Sequence, residues 1–322
     1  SYDAYTHIFL ADHYRRDWFS LWEPKWYGGF SVTSYPPLAH QLTALLSYAF
    51  GLQASYALLT LVTAVALPLA IYWFALIFSD REEAKYALLF AVILPSTTLY
   101  LHAFGQLPTI MATVFTLLSA KLLDLYLHGG RLHNLMTASL FAALVASTHH
   151  LTFLFFLPTA WLIVFLTHVS MREPSIVFKR FLSVSLLTST LASVALYPFI
   201  VFALTAPPQA EIPHATRGSI FEGLASVAFL WGTHSFTPVL IPNTIVIAWR
   251  RRVFAPLTAA FLAMFILGLG GTTPIPRLVL GEVLWKTLTF DKFLLWASLL
   301  YTPLLAVMLR DRGVFVRRYY EG

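Results

Sequence analysis

Long uninterrupted apolar stretches are the feature that most restricts how this chain can fold. Two of them are ASYALLTLVTAVALPLAIYWFALIF, residues 54–78, and FLSVSLLTSTLASVALYPFIVFAL, residues 181–204. A helix needs about 20 residues to cross a hydrocarbon core of about 30 Å, so apolar stretches of this length predict membrane-spanning helices. The sequence therefore predicts an all-α fold, a polytopic transmembrane helical bundle.

The composition agrees with this class. The 322 residues are 58% hydrophobic and 11% charged, with a net charge of +6, whereas soluble domains carry about 25% charged residues. The basic residues lie in short loops and form no basic face interleaved with aromatic residues, which argues against a nucleic-acid partner. The chain contains no cysteine, so disulfides and thiolate metal sites are excluded.

Nine apolar runs are predicted to span the membrane. The first residues are polar and acidic, so no signal peptide is expected, and this polar start predicts a further span upstream of Ser1. The nine predicted spans are residues 54–78, 84–101, 107–127, 133–147, 151–171, 181–204, 237–249, 253–270 and 292–309.

The loops between these runs alternate in charge, which predicts their side of the membrane. SDREEAK, HGGRLHN, MREPSIVFKR, WRRR and the tail LRDRGVFVRR together hold thirteen of the 21 lysines and arginines. The positive-inside rule places these loops in the cytoplasm and the other loops outside. We therefore expect a multi-pass protein of the plasma membrane whose functional face is external.

One further run, PLAHQLTALLSYAF at residues 37–50, is too short to be read as a span. Runs of this length are often interfacial or re-entrant, so we interpret it as an amphipathic or re-entrant helix. The predicted parts are then a first external loop at 1–53, a helical bundle at 54–309 and a basic cytoplasmic tail at 310–322.

Titratable side chains concentrate in the predicted external loops. Asp3 and His7 are four residues apart and would share one face of a helix. The stretch STHHLTF presents His149 and His150. Adjacent histidines cannot point the same way from a helix, so a shared metal ion is disfavoured, and one of them is expected to bind a phosphate or a sugar hydroxyl. The alternative, for any one of these histidines taken alone, is an interfacial residue without a function.

Two more external stretches carry candidate residues. HAFGQLP offers His102 and Gln106, and LTFDKFLLW places Asp291 and Lys292 at the outer mouth of the last span. Lys292 could hold a lipid phosphate. The alternative is an interfacial anchor formed with Trp296.

Aromatic residues cluster in the first external loop. WEPKWYGGFSVTSYPPLAH contains Trp26, Tyr27 and Tyr35. Such residues belong at a membrane–water interface, and they also stack on sugar rings. Both interpretations stay open from the sequence.

The order of these motifs makes the chain resemble the GT-C class of membrane glycosyltransferases. The motifs are YDAYTH, the run W-x-P-x-W-Y-G-G, SYPPLAHQL, HAFGQLP, STHHLTF and LTFDKFLLWASLL. The chain is most similar to the prokaryotic membrane proteins labelled 6-pyruvoyl-tetrahydropterin-synthase-related, with oligosaccharyltransferases and lipid-linked sugar transferases as more distant kin. The resemblance spans most of the chain.

The resemblance implies a cavity that receives a polyprenyl-phosphate sugar from the bilayer. Asp3 would act there as catalytic base, or it would bind a divalent cation such as Mg²⁺ or Mn²⁺, with His102 as a second ligand. The implied partners are membrane lipid, an acceptor glycan, lipid or protein, and other membrane subunits. The candidate substrate-binding and phosphate-binding residues are His7, His102, His149, His150, Arg277, Asp291 and Lys292, and the candidate sugar-stacking residues are Trp26, Tyr27 and Tyr35.

The chain departs from the oligosaccharyltransferase pattern at one point. The second outer loop carries acidic metal ligands in those enzymes, whereas LHAFGQLPT contains His102 and Gln106 and no acidic residue. Two alternatives to an enzyme therefore remain: a non-catalytic scaffold or lipid-binding subunit of the same fold, and a transporter. The transporter is less supported because no paired internal repeat is visible.

Overall fold

The chain is almost entirely helical, as predicted. The computed structural model describes residues 3–205, 214–234 and 241–320. The α-helices are α1 (Ala4–Arg16), α2 (Leu38–Phe50), α3 (Leu52–Ala75), α4 (Arg81–Ile93), α5 (Pro95–Thr98), α6 (Leu107–Gly129), α7 (Leu132–Thr148), α8 (Leu157–Val169), α9 (Pro174–Thr205), α10 (Leu224–His234), α11 (Ile241–Arg250), α12 (Ala255–Gly268), α13 (Ile275–Thr287) and α14 (Asp291–Tyr320).

The number of spans differs from the prediction. Five helices in the described part of the chain are long and apolar enough to cross a membrane, and a sixth is possible if α4 and the segment Pro95–Ala103, bent by 47°, count as one span. The predicted nine are therefore not confirmed. The five are Leu52–Ala75, Leu107–Gly129, Thr152–Val169, Pro174–Thr205 and Asp291–Arg310.

Length explains the difference. The predicted spans 133–147 and 253–270 correspond to shorter apolar helices, and 237–249 corresponds to α11, which has ten residues. At about 1.5 Å per residue a ten-residue helix rises only about 15 Å, half of a hydrocarbon core. Residues 237–240 of that predicted span lie outside the described residues. Residues 38–50 form a helix of 13 residues.

Two compact units make up the chain. One comprises Ser1–Ala70 with Thr98–Pro207, and the other comprises Ile71–Thr97 with Pro208–Gly322. These units are defined by which residues pack together, whereas the parts predicted from the sequence are defined by the side of the membrane on which they lie. The predicted boundaries after residues 53 and 309 therefore stay a prediction.

The first unit is built on α6, which packs along α7 and α8, while α7 packs along α9. Small residues let these backbones approach closely. Ser119 of α6 donates to the Ala138 carbonyl of α7 at 2.8 Å and accepts from the Trp161 indole of α8 at 3.1 Å. Short π-helical segments, Leu99–Ala103 and Thr152–Phe156, lie immediately before α6 and α8.

The amino-terminal segment of this unit packs α1 against α2. Leu10, Tyr14, Val32 and Ala44 form its apolar core. Between the two helices the strands β1 (Trp22–Glu23) and β2 (Phe30–Ser31) pair antiparallel.

The turn of this hairpin requires glycine at position 29. Gly29 has φ +109°, and a Cβ there would lie 2.3 Å from the Trp22 ring. A residue with a side chain would meet both the backbone strain and this clash. The turn therefore holds Trp26 and Tyr27 in one fixed loop.

In the second unit α14 packs against α4 and α12. Phe261, Phe293 and Trp296 are fully buried there. Asp80 caps α4 by accepting from the Glu82 and Glu83 amides, both at 3.0 Å.

Candidate functional site

The amino terminus of α1 meets the turn that precedes α6. The Asp3 amide donates to the Phe104 carbonyl at 3.0 Å, and the Gln106 side-chain amide donates to Asp3 Oδ2. Asp3 and Gln106 are both partly exposed. The Asp3 carboxylate thus accepts from a neutral donor at a partly exposed position.

A line of hydrogen bonds continues from Gln106 into the turn after α7. Thr109 Oγ1 donates to Gln106 Oε1 at 3.0 Å and lies 3.2 Å from His149 Nε2. His149 Nδ1 lies 2.8 Å from Thr152 Oγ1 and accepts from the Thr152 amide at 3.2 Å. We call Asp3, Gln106, Thr109, His149 and Thr152 the Asp3 hydrogen-bond chain. It brings the predicted residues Asp3 and His149 to the same end of the first unit.

His7 lies one helical turn after Asp3, as the spacing predicted, and its amide donates to the Asp3 carbonyl at 3.0 Å. Its Nδ1 hydrogen-bonds His40 Nε2 at 3.0 Å, and both rings are buried. Burial lowers the pKa of His7 to about 4. Burial and the neighbouring His7 also hold the pKa of His40 well below its usual value. The pair is therefore neutral at physiological pH.

Tyr35 packs edge-on against both histidines, with ring centroids 5.5 Å apart in each case. Burial, helped by the negative charge of Asp3, raises the pKa of Tyr35 to about 12. Tyr56 approaches the same place from α3, and its hydroxyl donates to the Gly105 carbonyl at 2.9 Å. Tyr35 and Tyr56 thus lie near the Asp3 carboxylate.

The other predicted histidines of this unit are placed differently. His150 is buried against Phe199, with ring centroids 3.9 Å apart, and burial lowers its pKa to about 4. His102 is exposed on the π-helical segment before α6, and its side chain makes no hydrogen bond within the described ranges. Neither belongs to the Asp3 hydrogen-bond chain, and their predicted roles stay predictions.

The predicted stacking residues lie in two places. Trp26 and Tyr27 stack on each other with centroids 5.2 Å apart and are both exposed. Trp26 also packs edge-on against Phe9 at 5.6 Å. Tyr35 packs on the histidine pair instead, so only the first two offer an open aromatic face.

A second cluster of charges lies at the other end of α1. The fully buried Glu23 carboxylate contacts His13 Nδ1 at 3.0 Å and Arg16 Nη2 at 2.5 Å, and it accepts from the Lys25 amide at 2.7 Å. Asp12 contacts the Arg15, Arg16 and Lys25 side chains, each at 3.1 Å. We call Asp12, His13, Arg16, Glu23 and Lys25 the Glu23 cluster. These contacts hold the β1–β2 hairpin against α1.

The remaining predicted residues lie in the second unit. Arg277 Nε contacts Glu282 Oε1 at 2.5 Å in an exposed ion pair. Lys292 Nζ donates to Thr289 Oγ1 at 3.0 Å, and Asp291 begins α14. Their roles toward a phosphate stay predictions.

A divalent cation needs several oxygen or nitrogen ligands that converge on one point. No group of three or more histidine, aspartate and glutamate side chains in the described residues could hold a metal ion. The carboxylate of Asp3 meets the Gln106 amide where a second carboxylate would be needed. These residues do not fit a metal centre, and the predicted cation remains to be tested.

Several residues of this site were not assigned a role from the sequence: Gln106, Thr109, Thr152 and His40. A signal was present for two of them. Thr109 follows Gln106 by three residues and Thr152 follows His149 by three, a spacing that places side chains on one helical face. His40 carried no such signal because it meets His7 only through the packing of α2 on α1.

Comparison with known proteins shows what this fold is similar to. No protein-family model matches the sequence, and no curated protein matches it. The crystal structure of the Archaeoglobus fulgidus oligosaccharyltransferase in the apo form matches with a TM-score of 0.61 and 13% identity, over 99% of this chain and 48% of that one. The same enzyme tethered through a disulfide bond to an acceptor peptide containing the NVT sequon matches with a TM-score of 0.56 and 15% identity, over 98% and 46%. The chain thus spans about half the length of these structures, and it has their GT-C-type membrane fold.

Proposed function

We propose that this chain transfers a sugar from a polyprenyl-phosphate-linked donor to an acceptor, with Asp3 as the general base. The observation that carries the proposal is the environment of Asp3. Its partly exposed carboxylate is held by the neutral Gln106 amide. A carboxylate in this position can accept a proton from an acceptor hydroxyl or amide. The GT-C-type fold agrees with this chemistry.

The reaction follows from these groups. As the acceptor oxygen or nitrogen attacks C1 of the sugar, its proton passes to the Asp3 carboxylate. The bond between C1 and the phosphate oxygen breaks, and its electron pair leaves with the phosphate. The sugar is then bound to the acceptor, and Asp3 returns its proton to water.

Other parts of the proposal rest on predicted residues. The neutral His7–His40 pair and the protonated Tyr35 phenol border Asp3 without neutralising its charge. Trp26 and Tyr27 offer an exposed aromatic face on which a sugar ring could stack.

The donor and the acceptor belong to the proposal as well. The donor would enter from the bilayer of a plasma membrane, with the site on its external side. One structural neighbour carries an acceptor peptide, which supports a protein acceptor among the glycan, lipid and protein acceptors considered. Other membrane subunits are also proposed partners.

The test is transfer by the purified chain in lipid nanodiscs. Polyprenyl phosphates carrying mannose, glucose or N-acetylglucosamine are offered with a peptide or glycan acceptor, and release of the sugar is measured. We expect Asp3→Asn to lower turnover by at least about 100-fold. Asp17→Asn, an exposed carboxylate just after the same helix, is the matched control and should leave turnover unchanged. Equal turnover of Asp3→Asn and the unaltered chain would overturn the role of Asp3.

Two further arms address the alternatives. A chelator that abolishes turnover, with recovery on adding Mg²⁺ or Mn²⁺, would show that a cation takes part. Tight binding of the polyprenyl phosphate sugars with no transfer to any acceptor would favour the non-catalytic lipid-binding subunit. The observation that favours this second function is Gln106. It lies in a loop where the resembled enzymes carry acidic residues.

A further inference from the structure

The Asp3 hydrogen-bond chain has a direction, which the donors and acceptors at its far end determine. The Thr152 amide can only donate, so His149 Nδ1 must accept. The proton of the neutral imidazole is then on Nε2, which donates to Thr109 Oγ1. The Thr109 hydroxyl in turn donates a hydrogen bond to Gln106 Oε1. Every link therefore points from the 149–152 turn toward Asp3.

The last link follows from this direction. Because Gln106 Oε1 receives the Thr109 hydroxyl, the amide presents its NH₂ group to Asp3 Oδ2. The opposite amide orientation would place a carbonyl oxygen against the carboxylate, and it would leave the Thr109 hydroxyl facing an NH₂ group. The first change replaces a hydrogen bond by a repulsion, and the second removes the acceptor of the Thr109 hydroxyl proton.

We propose that Gln106, Thr109 and His149 are positioning residues that orient the Asp3 carboxylate for catalysis through this directed chain. The proposal rests on the proposed function, in which Asp3 is the base. Thr109 and His149 are buried and Asp3 is partly exposed, so the first two act through Gln106 and do not touch the substrate. Their effect is to fix the rotamer of the carboxylate.

The shielded position of the chain supports this assignment. Thr109 and Thr152 are fully buried, and His149 is 8% exposed. Hydrogen bonds shielded from water are electrostatically stronger than exposed ones and polarise one another along a line. A change at His149 is therefore expected to reach Asp3, although α7 and α1 are separate elements.

The first experiment compares two threonines of α6. Thr109→Val removes the central hydroxyl, whereas Thr116→Val removes an equally buried hydroxyl that bonds the carbonyl one turn before it, that of Ala112, at 2.9 Å. We expect Thr109→Val to lower kcat by about 10- to 100-fold with KM nearly unchanged. Thr116→Val should keep both constants. A loss shared equally by the two variants would indicate general damage to α6 and would overturn the proposal.

The second experiment uses rescue at His149. His149→Leu removes the donor to Thr109 and should lower kcat to a similar extent. His149→Gln can place an amide near the position of Nε2 and should recover part of it. Equal kcat values for the Leu and Gln variants would contradict the proposed donor role.

The third measurement is the pH profile of Gln106→Glu. A second carboxylate beside Asp3 makes the two share a proton, so the acidic limb of the kcat/KM profile should move upward by about one pH unit. An unchanged limb would overturn the coupling of Gln106 to Asp3.

A readout without turnover separates failure of this proposal from failure of the proposed function. In the chain labelled with ¹⁵N at histidine, His149 should show a protonated Nε2 and an unprotonated Nδ1. Thr109→Val should shift the Nε2 signal, and Thr116→Val should not. A proton on Nδ1 would overturn the directed chain even if Asp3→Asn abolishes transfer. The expected tautomer together with full turnover of Asp3→Asn would retain the chain and reject Asp3 as base.

Discussion

The two ends of α1 hold their carboxylates in opposite ways. Asp3 is partly exposed, and its hydrogen-bond chain consists of neutral side chains. Glu23 packs against the carboxyl end of α1, where it is fully buried and contacts His13 and Arg16. His13 contacts Glu23 through Nδ1 at 3.0 Å and the Ser20 carbonyl through Nε2 at 2.8 Å.

The difference separates a reactive carboxylate from a structural one. Burial by itself would raise the pKa of Glu23, but hydrogen bonds from the Lys25 amide, Arg16 and His13 outweigh it and hold that pKa below its ordinary value. Such a group neither takes up protons near neutral pH nor moves. Asp3 instead accepts a hydrogen bond from the neutral Gln106 amide and is partly exposed, as its proposed role as a base requires.

The largest effect is expected from removing the charge of Glu23. Glu23→Gln removes the buried charge that Arg16 contacts and leaves Arg16 with Asp12, at a cost of about 2 kcal/mol. The apparent unfolding temperature should fall, and limited proteolysis should cut within the hairpin. Asp17→Asn, an exposed change at the same helix end, is the control. An unaltered proteolysis pattern for Glu23→Gln would mean that the Glu23 cluster does not tie down the loop.

The next effect tests the comparison by making Asp3 resemble Glu23. Gln106→Lys places a cation against Asp3, which stabilises the charged carboxylate and weakens it as a base. We expect turnover to fall by about tenfold or more, and the acidic limb of the pH profile to move downward. Stability should change little. Gln53→Lys, at an exposed glutamine near the start of α3, is the control. Equal turnover of the two variants would contradict the proposed difference between Asp3 and Glu23.

Acidification should distinguish the two ends by their pH windows. The pKa of His7 falls to about 4 in the folded chain from an ordinary value of 6.5, so the unfolded state binds more protons between these values. Stability at the Asp3 end is therefore present above about pH 6.5 and is lost as the pH falls toward 4, by about 2 kcal/mol at pH 5.

The Glu23 end should persist over that window. Its lowered pKa means that its stabilisation is present above the ordinary value and is lost only as the pH falls through the folded value. Hydrogen exchange from pH 7 to 4, resolved along α1, measures both ends. Loosening of the residues around Glu23 before those around His7 would contradict the assignment.

The smallest effect is expected at the open aromatic face. Trp26→Ala should raise KM for the sugar a few-fold with kcat nearly unchanged, because the exposed ring would stack on substrate and take no part in proton transfer. Phe19→Ala, which removes another exposed ring of the same loop, is the control. A fall in kcat alone would place Trp26 in a different role.

Much of the site could be predicted from local patterns. The spacing of Asp3 and His7 placed them on successive turns of α1, and the turns HAFGQLP and STHHLTF were identified as carrying polar groups. The partners could not be predicted in the same way. Gln106 faces Asp3 because the Asp3 amide donates a hydrogen bond to the Phe104 carbonyl. No periodic pattern in the sequence predicts a contact between such distant segments.

The span count shows a related limit. Apolar composition identified each run, but α11 and the bend between α4 and Pro95–Ala103 depend on where each helix ends. The breaks at Pro95 and at the Arg250–Arg252 segment set those lengths. Composition averages over such breaks, so it does not by itself fix the number of spans.

The sequence by itself determined the class of this protein, because long apolar runs can satisfy their backbone hydrogen bonds in a bilayer only as helices. It also determined which stretches carry titratable groups. Only the tertiary structure decided that Asp3 accepts from the neutral Gln106 amide and that Glu23 contacts the Arg16 guanidinium. The pairing of a carboxylate depends on which side chains packing brings within about 3 Å, and residues such as Thr109 and His149 reach that distance only after their helices have packed.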